Sequence, residues 1–232
     1  MLEEHSFADA ESAAHWLASA IAARLRSAVD ARGAASLLVS GGRSPIALLR
    51  ALSQQPLGWD KVRVSLVDER WVDPASADSN ERLVRDYLLQ AQARAAQFVP
   101  LKNAAADARS GVAAATQALQ SLPRPFDVVV LGMGEDGHTA SLFPGAAGLA
   151  AALDPAGKPV LCAIDPPSAP NPRISLTLAA LLDARWLCLP IQGAAKHAVY
   201  RRARADADPQ ALPVAGVLNQ DRVPVCVCLI ES

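Results

Sequence analysis

Asp127-Val128-Val129-Val130-Leu131-Gly132-Met133-Gly134-Glu135-Asp136-Gly137-His138-Thr139-Ala140-Ser141-Leu142-Phe143-Pro144-Gly145 is the stretch that decides how this chain folds. Its apolar run, 128–131, is short, β-branched and bounded by glycine, which is the pattern of a strand buried inside a parallel sheet. Glycines, two carboxylates and a histidine follow at once. Ligands of open α/β sheets bind beyond the carboxyl ends of the strands, where such a loop lies. Glycine lets backbone come close to a ligand, and histidine exchanges a proton near neutral pH. The segment reads as an active-site loop.

Within it, Gly132-Met133-Gly134-Glu135-Asp136-Gly137 matches the G-x-G-x-x-G spacing of dinucleotide-binding turns but not their chemistry. Such a turn aims backbone N–H groups and a helix N-terminus at a pyrophosphate. Here Glu135 and Asp136 would face the anion and repel it. The acid expected about 20 residues on should end a second strand. Asp154 instead sits in a loop with Pro155 and Gly157. A nicotinamide cofactor is not expected.

At 232 residues the chain is long enough for one large α/β domain spanning 1–232, with neither an internal repeat nor an interdomain linker. A net charge of −1 and the lack of a basic patch argue against nucleic acid as a partner. No apolar stretch is long enough to span a bilayer, so no membrane role is expected. The acidic opening Met1-Leu2-Glu3-Glu4-His5 lacks the layout of a signal peptide, which points to a cytoplasmic protein. Cys162, Cys188, Cys226 and Cys228 fall in apolar, strand-like surroundings and read as buried structural thiols. Without a spaced His/Cys/carboxylate set, no metal site is expected.

Outward from the central strand, helices and strands alternate. Residues 9–32 carry apolar side chains at helical spacing, and Gly33 supplies a stop. Buried-type strands are expected at 35–40, 62–67, 184–191 and 223–230, with short ones near Phe98 and Val160. Helices are expected from Pro45, from Ser79 or Asn80 to about 92, over 107–121 and over 194–204. The fold class that follows is α/β: a doubly wound, mainly parallel, Rossmann-like sheet flanked by helices.

Four further places put polar groups after a strand or at a helix start. Ser40-Gly41-Gly42-Arg43-Ser44-Pro45 reads as an anion cradle from a glycine turn and a helix N-terminus, without the spacing or lysine of a P-loop, or else as a plain βα turn with an N-cap. Asp68-Glu69-Arg70 offers carboxylates for sugar hydroxyls and a guanidinium for phosphate, or else a salt-bridged rim. Arg173 leaves a segment with four prolines, 165–172, ready to fork onto a phosphate. Lys196 falls in the first turn of a helix, where a cation opposes the helix dipole unless an anion sits beside it. His5 is expected in a frayed terminus, His15 beside Trp16, and His197 in a solvated or packed position.

Together, Ser40-Gly41-Gly42-x-Ser44-Pro45, Asp68-Glu69-Arg70-Trp71-Val72, Ser79-Asn80, the block from Gly132 to Gly145, Arg173-Ile174-Ser175-Leu176-Thr177 and Gly193-x-x-Lys196 resemble the 6-phosphogluconolactonase family. The blocks run in order from about residue 35 to 200. The part from Asp136 to Gly145 is the most specific, whereas Asp68-Glu69-Arg70 is shared more widely with glucosamine-6-phosphate deaminases. Arg43 departs from the small or hydroxyl residue common in relatives; it either strengthens anion binding or points to solvent.

The resemblance implies hydrolysis of a sugar-phosphate lactone, 6-phospho-D-glucono-1,5-lactone, the second step of the oxidative pentose phosphate route. Water attacks the lactone carbonyl, so a base and stabilisation of an oxyanion are needed. His138 is the expected base and returns its proton to the ring oxygen. Asp136 either orients the imidazole or holds a sugar hydroxyl, and Asp68 fixes hydroxyls. Ser40, Gly41, Gly42, Ser44, Arg70, Arg173 and Lys196 are expected to bind substrate, chiefly its phosphate. The scheme needs neither a metal nor an organic cofactor, and its partner is the lactone itself, acted on by a monomer or weak homo-oligomer.

Three rival readings are weaker. A covalent serine mechanism lacks a G-x-S-x-G elbow, and Ser141 reads as a loop or helix-start residue. A hexosamine-phosphate deaminase has an Asn-Glu pair after its glycine–histidine loop, where this chain reads Ser141-Leu142-Phe143-Pro144 without a carboxylate. A non-catalytic sugar-phosphate binder would have little use for His138 and Asp136 together.

Overall fold

The computed structural model describes residues 1–205 and 208–231. Its strands are β1 (Leu2–Phe7), β2 (Ala35–Val39), β3 (Val62–Leu66), β4 (Asp68–Arg70), β5 (Gln97–Phe98), β6 (Val128–Val130), β7 (Leu161–Ile164), β8 (Arg173–Leu176), β9 (Leu187–Gln192) and β10 (Val225–Ile230). The helices are α1 (Ala10–Arg32), α2 (Ile46–Ser53), α3 (Asn80–Tyr87), α4 (Ala108–Leu119), α5 (Leu149–Ala152), α6 (Leu178–Leu181), α7 (Ala194–Arg204) and α8 (Ala215–Leu218).

Seven strands form one sheet in the order β1-β10-β9-β6-β2-β3-β5, with every pairing parallel. The Val128–Val130 run sits at its centre and is buried on both faces, as a continuous apolar strand must be. From β2 the chain winds outward through β3 to β5, then returns to β6 and winds the opposite way through β9 and β10. The loops leaving β2 and β6 therefore part company at the carboxyl edge of the sheet. A crevice opens at that reversal.

Local chemistry sets the helices. Asp9 caps α1 by accepting the Ser12 N–H at 2.7 Å, and Gly33 ends it at φ 78°, a left-handed conformation that glycine adopts without strain. Leu17, Ile21 and Leu25 then fall on one buried face against the sheet. Truncating Leu25 to alanine there should cost about 2–5 kcal/mol. Asp127, buried at the start of β6, accepts the Ser36 N–H at 2.9 Å and pairs with Arg32 and Arg185. It ties β6 to β2 at the end of the sheet remote from the crevice.

Two features depart from the sequence reading. The N-terminus is not frayed: residues 2–7 form edge strand β1 along β10, and His5 packs on Trp16 with ring centroids 4.3 Å apart. Three strands, β4-β8-β7, also form a second, antiparallel sheet. Asp68 does not end the strand before it but opens β4, one residue beyond the Val67 N–H bond to the Val39 carbonyl. Strands of three or four residues are too short to show a reliable alternation, which hides such a sheet in the sequence. Among the four cysteines, Cys188, Cys226 and Cys228 are buried, Cys162 is half-buried, and all are free. Burial pushes the Cys162 thiol up to about 12 and Cys188 well above its ordinary value, so both are unreactive.

Candidate active site

The crevice is a cleft of about 410 Å3 lined by Ser40, Gly41, Gly42, Ser44, Asp68, Arg70, His138, Arg173 and Lys196. These residues come from the loops after β2, β6 and β9 and from the second sheet. Every candidate substrate-binding residue of the sequence is brought together there, with Arg43 and Asn80 beside them. Asp136 stands just behind the wall, in contact with His138.

The glycine loop after β6 is folded by its own hydrogen bonds. Gly134 N–H donates to the His138 carbonyl at 3.0 Å, Gly137 N–H to the Gly134 carbonyl at 3.1 Å, and Thr139 Oγ1 to the Gly132 carbonyl at 2.9 Å. No helix follows directly, so the G-x-G-x-x-G match does not continue into the helix that dinucleotide binding requires. Gly134 is glycine for a steric reason. A Cβ there would lie 2.3 Å from the His138 ring and 2.5 Å from Asp136 Oδ1.

His138 Nδ1 lies 2.6 Å from Asp136 Oδ1, which also accepts the His138 backbone N–H at 3.1 Å. A carboxylate only accepts, so this contact places the ring proton on Nδ1 and leaves the Nε2 lone pair free. Nε2 has no protein partner among the described residues. One face of the ring stacks on Phe143, centroids 4.1 Å apart and planes at 28°.

Asp68 is 6% exposed. Its Oδ2 accepts the Ser141 hydroxyl at 2.5 Å, and its backbone carbonyl accepts Asn80 Nδ2 at 2.9 Å. Ser141 is in turn anchored by its N–H to Ser175 Oγ at 3.1 Å. From sequence Ser141 reads only as a loop or helix-start residue; its position three residues after His138, inside the most specific block, is the available signal. Asn80 packs so tightly on Gly41 that a Cβ at that glycine would come within 1.8 Å of its Oδ1.

The triplet 68–70 divides its labour. Glu69 turns away from the cleft, is 1% exposed and accepts the N–H groups of Arg70, Asn80 and Glu81 at 2.7–2.8 Å and the Ser79 hydroxyl at 3.1 Å. It caps α3 and fixes Asn80. Burial raises its carboxyl above the ordinary value, with the backbone donors pulling the other way.

Arg70 and Arg173 both line the cleft. Arg70 Nη1 donates to the Asp78 carbonyl at 2.6 Å and Arg173 Nη2 to the Pro170 carbonyl at 3.0 Å, while the buried Nε of each has no acceptor. Burial first, and the charge of Arg70 second, push the Arg173 guanidinium below its ordinary value. In the same cleft, the N–H groups of Gly41, Gly42, Arg43 and Ser44 donate to no protein acceptor among the described residues. They precede α2, whose positive dipole end faces the same space. Lys196 completes the rim from the first turn of α7. A cleft that holds a histidine with a free Nε2 together with several cations and free N–H groups suits a phosphorylated substrate. Among the described residues, no three His, Cys, Asp or Glu side chains group as metal ligands.

Fold and cleft together define an α/β enzyme of the sugar-phosphate-handling kind. The chain matches the family of glucosamine-6-phosphate isomerases/6-phosphogluconolactonase over residues 8–225 and belongs to it. It is 45% identical over 206 residues to a 6-phosphogluconolactonase of Pseudomonas aeruginosa, covering 89% of this chain and 87% of that one. It is 45% identical over 221 residues to a 6-phosphogluconolactonase of Rhizobium meliloti, covering 95% of each. The crystal structure of a 6-phosphogluconolactonase from Shewanella baltica superimposes with a TM-score of 0.95 at 45% identity, over 99% of this chain and 98% of that one. No helix among the described residues is long and apolar enough to cross a membrane.

Proposed function

We propose that this chain hydrolyses 6-phospho-D-glucono-1,5-lactone to 6-phosphogluconate, the lactonase step of the oxidative pentose phosphate route. It is a hydrolase of the 6-phosphogluconolactonase class, as its relatives at 45% identity are named. The observation that carries the mechanism is the His138–Asp136 pair, which leaves Nε2 unpartnered on a cleft rich in unspent anion donors.

In this reading the phosphate sits among Arg70, Arg173, Lys196, Ser44 and the free N–H groups after β2. That remote anchor positions the lactone, and its binding energy is used where nothing reacts. His138 Nε2 takes a proton from water as the oxygen attacks C1. Asp136 holds the imidazole in the required tautomer and stabilises the imidazolium. Collapse of the tetrahedral intermediate breaks the bond from C1 to the ring oxygen, which receives the proton from Nε2. Asp68 has Oδ2 committed to Ser141, so Oδ1 is the oxygen left to hold a sugar hydroxyl. Water attacks directly, with no acyl intermediate on Ser141, whose hydroxyl is already given to Asp68.

The test is substrate choice. Wild-type protein should accelerate hydrolysis of 6-phosphoglucono-δ-lactone above its spontaneous rate, act far more weakly on the unphosphorylated lactone, and leave glucosamine 6-phosphate intact. Equal kcat/KM on the two lactones would remove the phosphate site from the account, and deamination of the amino sugar would replace the function.

A further inference from the structure

Phe143 touches both halves of this site. Its ring, 5% exposed, stacks on the His138 imidazole at 4.1 Å, and the Arg173 guanidinium carbon lies 6.0 Å from the same ring centre. The imidazole has two degrees of freedom that matter for proton transfer: rotation within its plane and tilt of that plane. The Asp136 contact at Nδ1 fixes the first. It leaves the second loose, because a single hydrogen bond serves as a pivot. Gly134 lies close to the ring but, lacking a side chain, cannot clamp it.

We propose that Phe143 is a positioning residue for the base, setting the tilt of the His138 ring so that Nε2 is aimed at the attacking water. This rests on the lactonase reading above. Aim matters in the proton-transfer step and not in substrate binding, so its loss is felt in kcat. Phe143 is itself held by the chain that orders the rest of the site. Thr139 and Leu142 form a β-bridge, and the Ser141 N–H between them is bonded to Ser175. The aromatic ring and the serine that steadies Asp68 therefore come from one short, pinned segment.

The experiment compares wild type with Phe143→Leu, which keeps apolar volume but removes the aromatic face, and with Phe143→Tyr, which restores it. Phe143→Met replaces the leucine variant if that one does not fold. Two readouts are taken on full-length protein. The first is steady-state kinetics on 6-phosphoglucono-δ-lactone. Phe143→Leu should lower kcat about tenfold with KM within about twofold of wild type, as befits lost aim and not lost binding. Phe143→Tyr should recover most of the rate. The second is NMR of the His138 ring protons, which the stacked ring shifts upfield in wild type. The shift should vanish in Phe143→Leu and persist in Phe143→Tyr.

A folded Phe143→Leu protein with wild-type kcat overturns the proposal, as does a loss that appears in KM alone. Unmoved His138 resonances also overturn it, because the stack would then be absent in solution. Should wild type fail to hydrolyse the lactone, the lactonase reading falls by itself, and the NMR comparison still decides whether Phe143 stacks on His138 in solution.

Discussion

Arg70 and Arg173 stand directly opposite one another in the antiparallel register of β4 and β8. Like charges in that relation repel, and the buried Nε of each lacks an acceptor. An unsatisfied buried donor costs about 1–3 kcal/mol, more when charged. An anion bound between the two guanidinium groups is expected to offset that cost. Inorganic phosphate should raise the thermal midpoint of wild type, with a gain of about 2.7 kcal/mol at a hundredfold excess over its Kd. Calorimetry with and without phosphate checks this. Arg173→Met should melt no lower than wild type without phosphate and lose the phosphate-dependent rise.

The Asp136 contact predicts a change in kcat. Asp136→Asn presents an amide that can donate to Nδ1, so the ring proton moves to Nε2 and the base is lost. We expect kcat to fall by about 10²-fold or more, with KM nearly unchanged. Rates on the phosphorylated lactone decide it, and a wild-type kcat would remove Asp136 from the mechanism.

Ser141→Ala strips a buried carboxylate oxygen of its partner. Destabilisation of about 1–3 kcal/mol is expected by denaturant unfolding, together with a lower kcat/KM as Asp68 loses its fixed orientation. Unfolding midpoints and kinetics measured on the same preparation separate the two effects.

Glu69 predicts a pH dependence. Burial raises its carboxyl above the ordinary value of 4.5 in the folded chain. The folded state therefore binds that proton more tightly than the unfolded state does. The contribution to stability is full below the ordinary value and is lost as pH rises through the raised one. The stability of wild type relative to Glu69→Gln, which cannot ionise, should shrink over the range of pH above the ordinary value of 4.5. Unfolding free energies across that range test it; a difference that grows with pH contradicts the burial argument.

Much of this site is legible in the sequence because it is built from strand ends. The β-branched run 128–130 marks the sheet centre by its composition, and Ser40-Gly41-Gly42 and Lys196 announce themselves as turns and helix starts beyond buried strands. Arg70 and Arg173 stand out as cations near such ends, but their cross-strand pairing depends on the antiparallel sheet. A strand of three residues such as β4 carries too little pattern to reveal it. The separate fates of Asp68 and Glu69 were hidden for a related reason. Alternation puts neighbours on opposite faces, but which face meets the cleft is decided by β8 and α3. Ser141 and Phe143 make their contacts with residues tens of positions away or across a turn, and their residue types alone carry no such information.

The account is tested most directly by the initial rate of hydrolysis of freshly prepared 6-phosphoglucono-δ-lactone, spontaneous rate subtracted, for wild type beside a folded His138→Ala variant. It predicts clear acceleration by wild type and a fall of at least about 10²-fold in kcat for the variant. Wild-type acceleration that survives the substitution would contradict His138 as the base, and no acceleration by folded wild type would contradict the function itself.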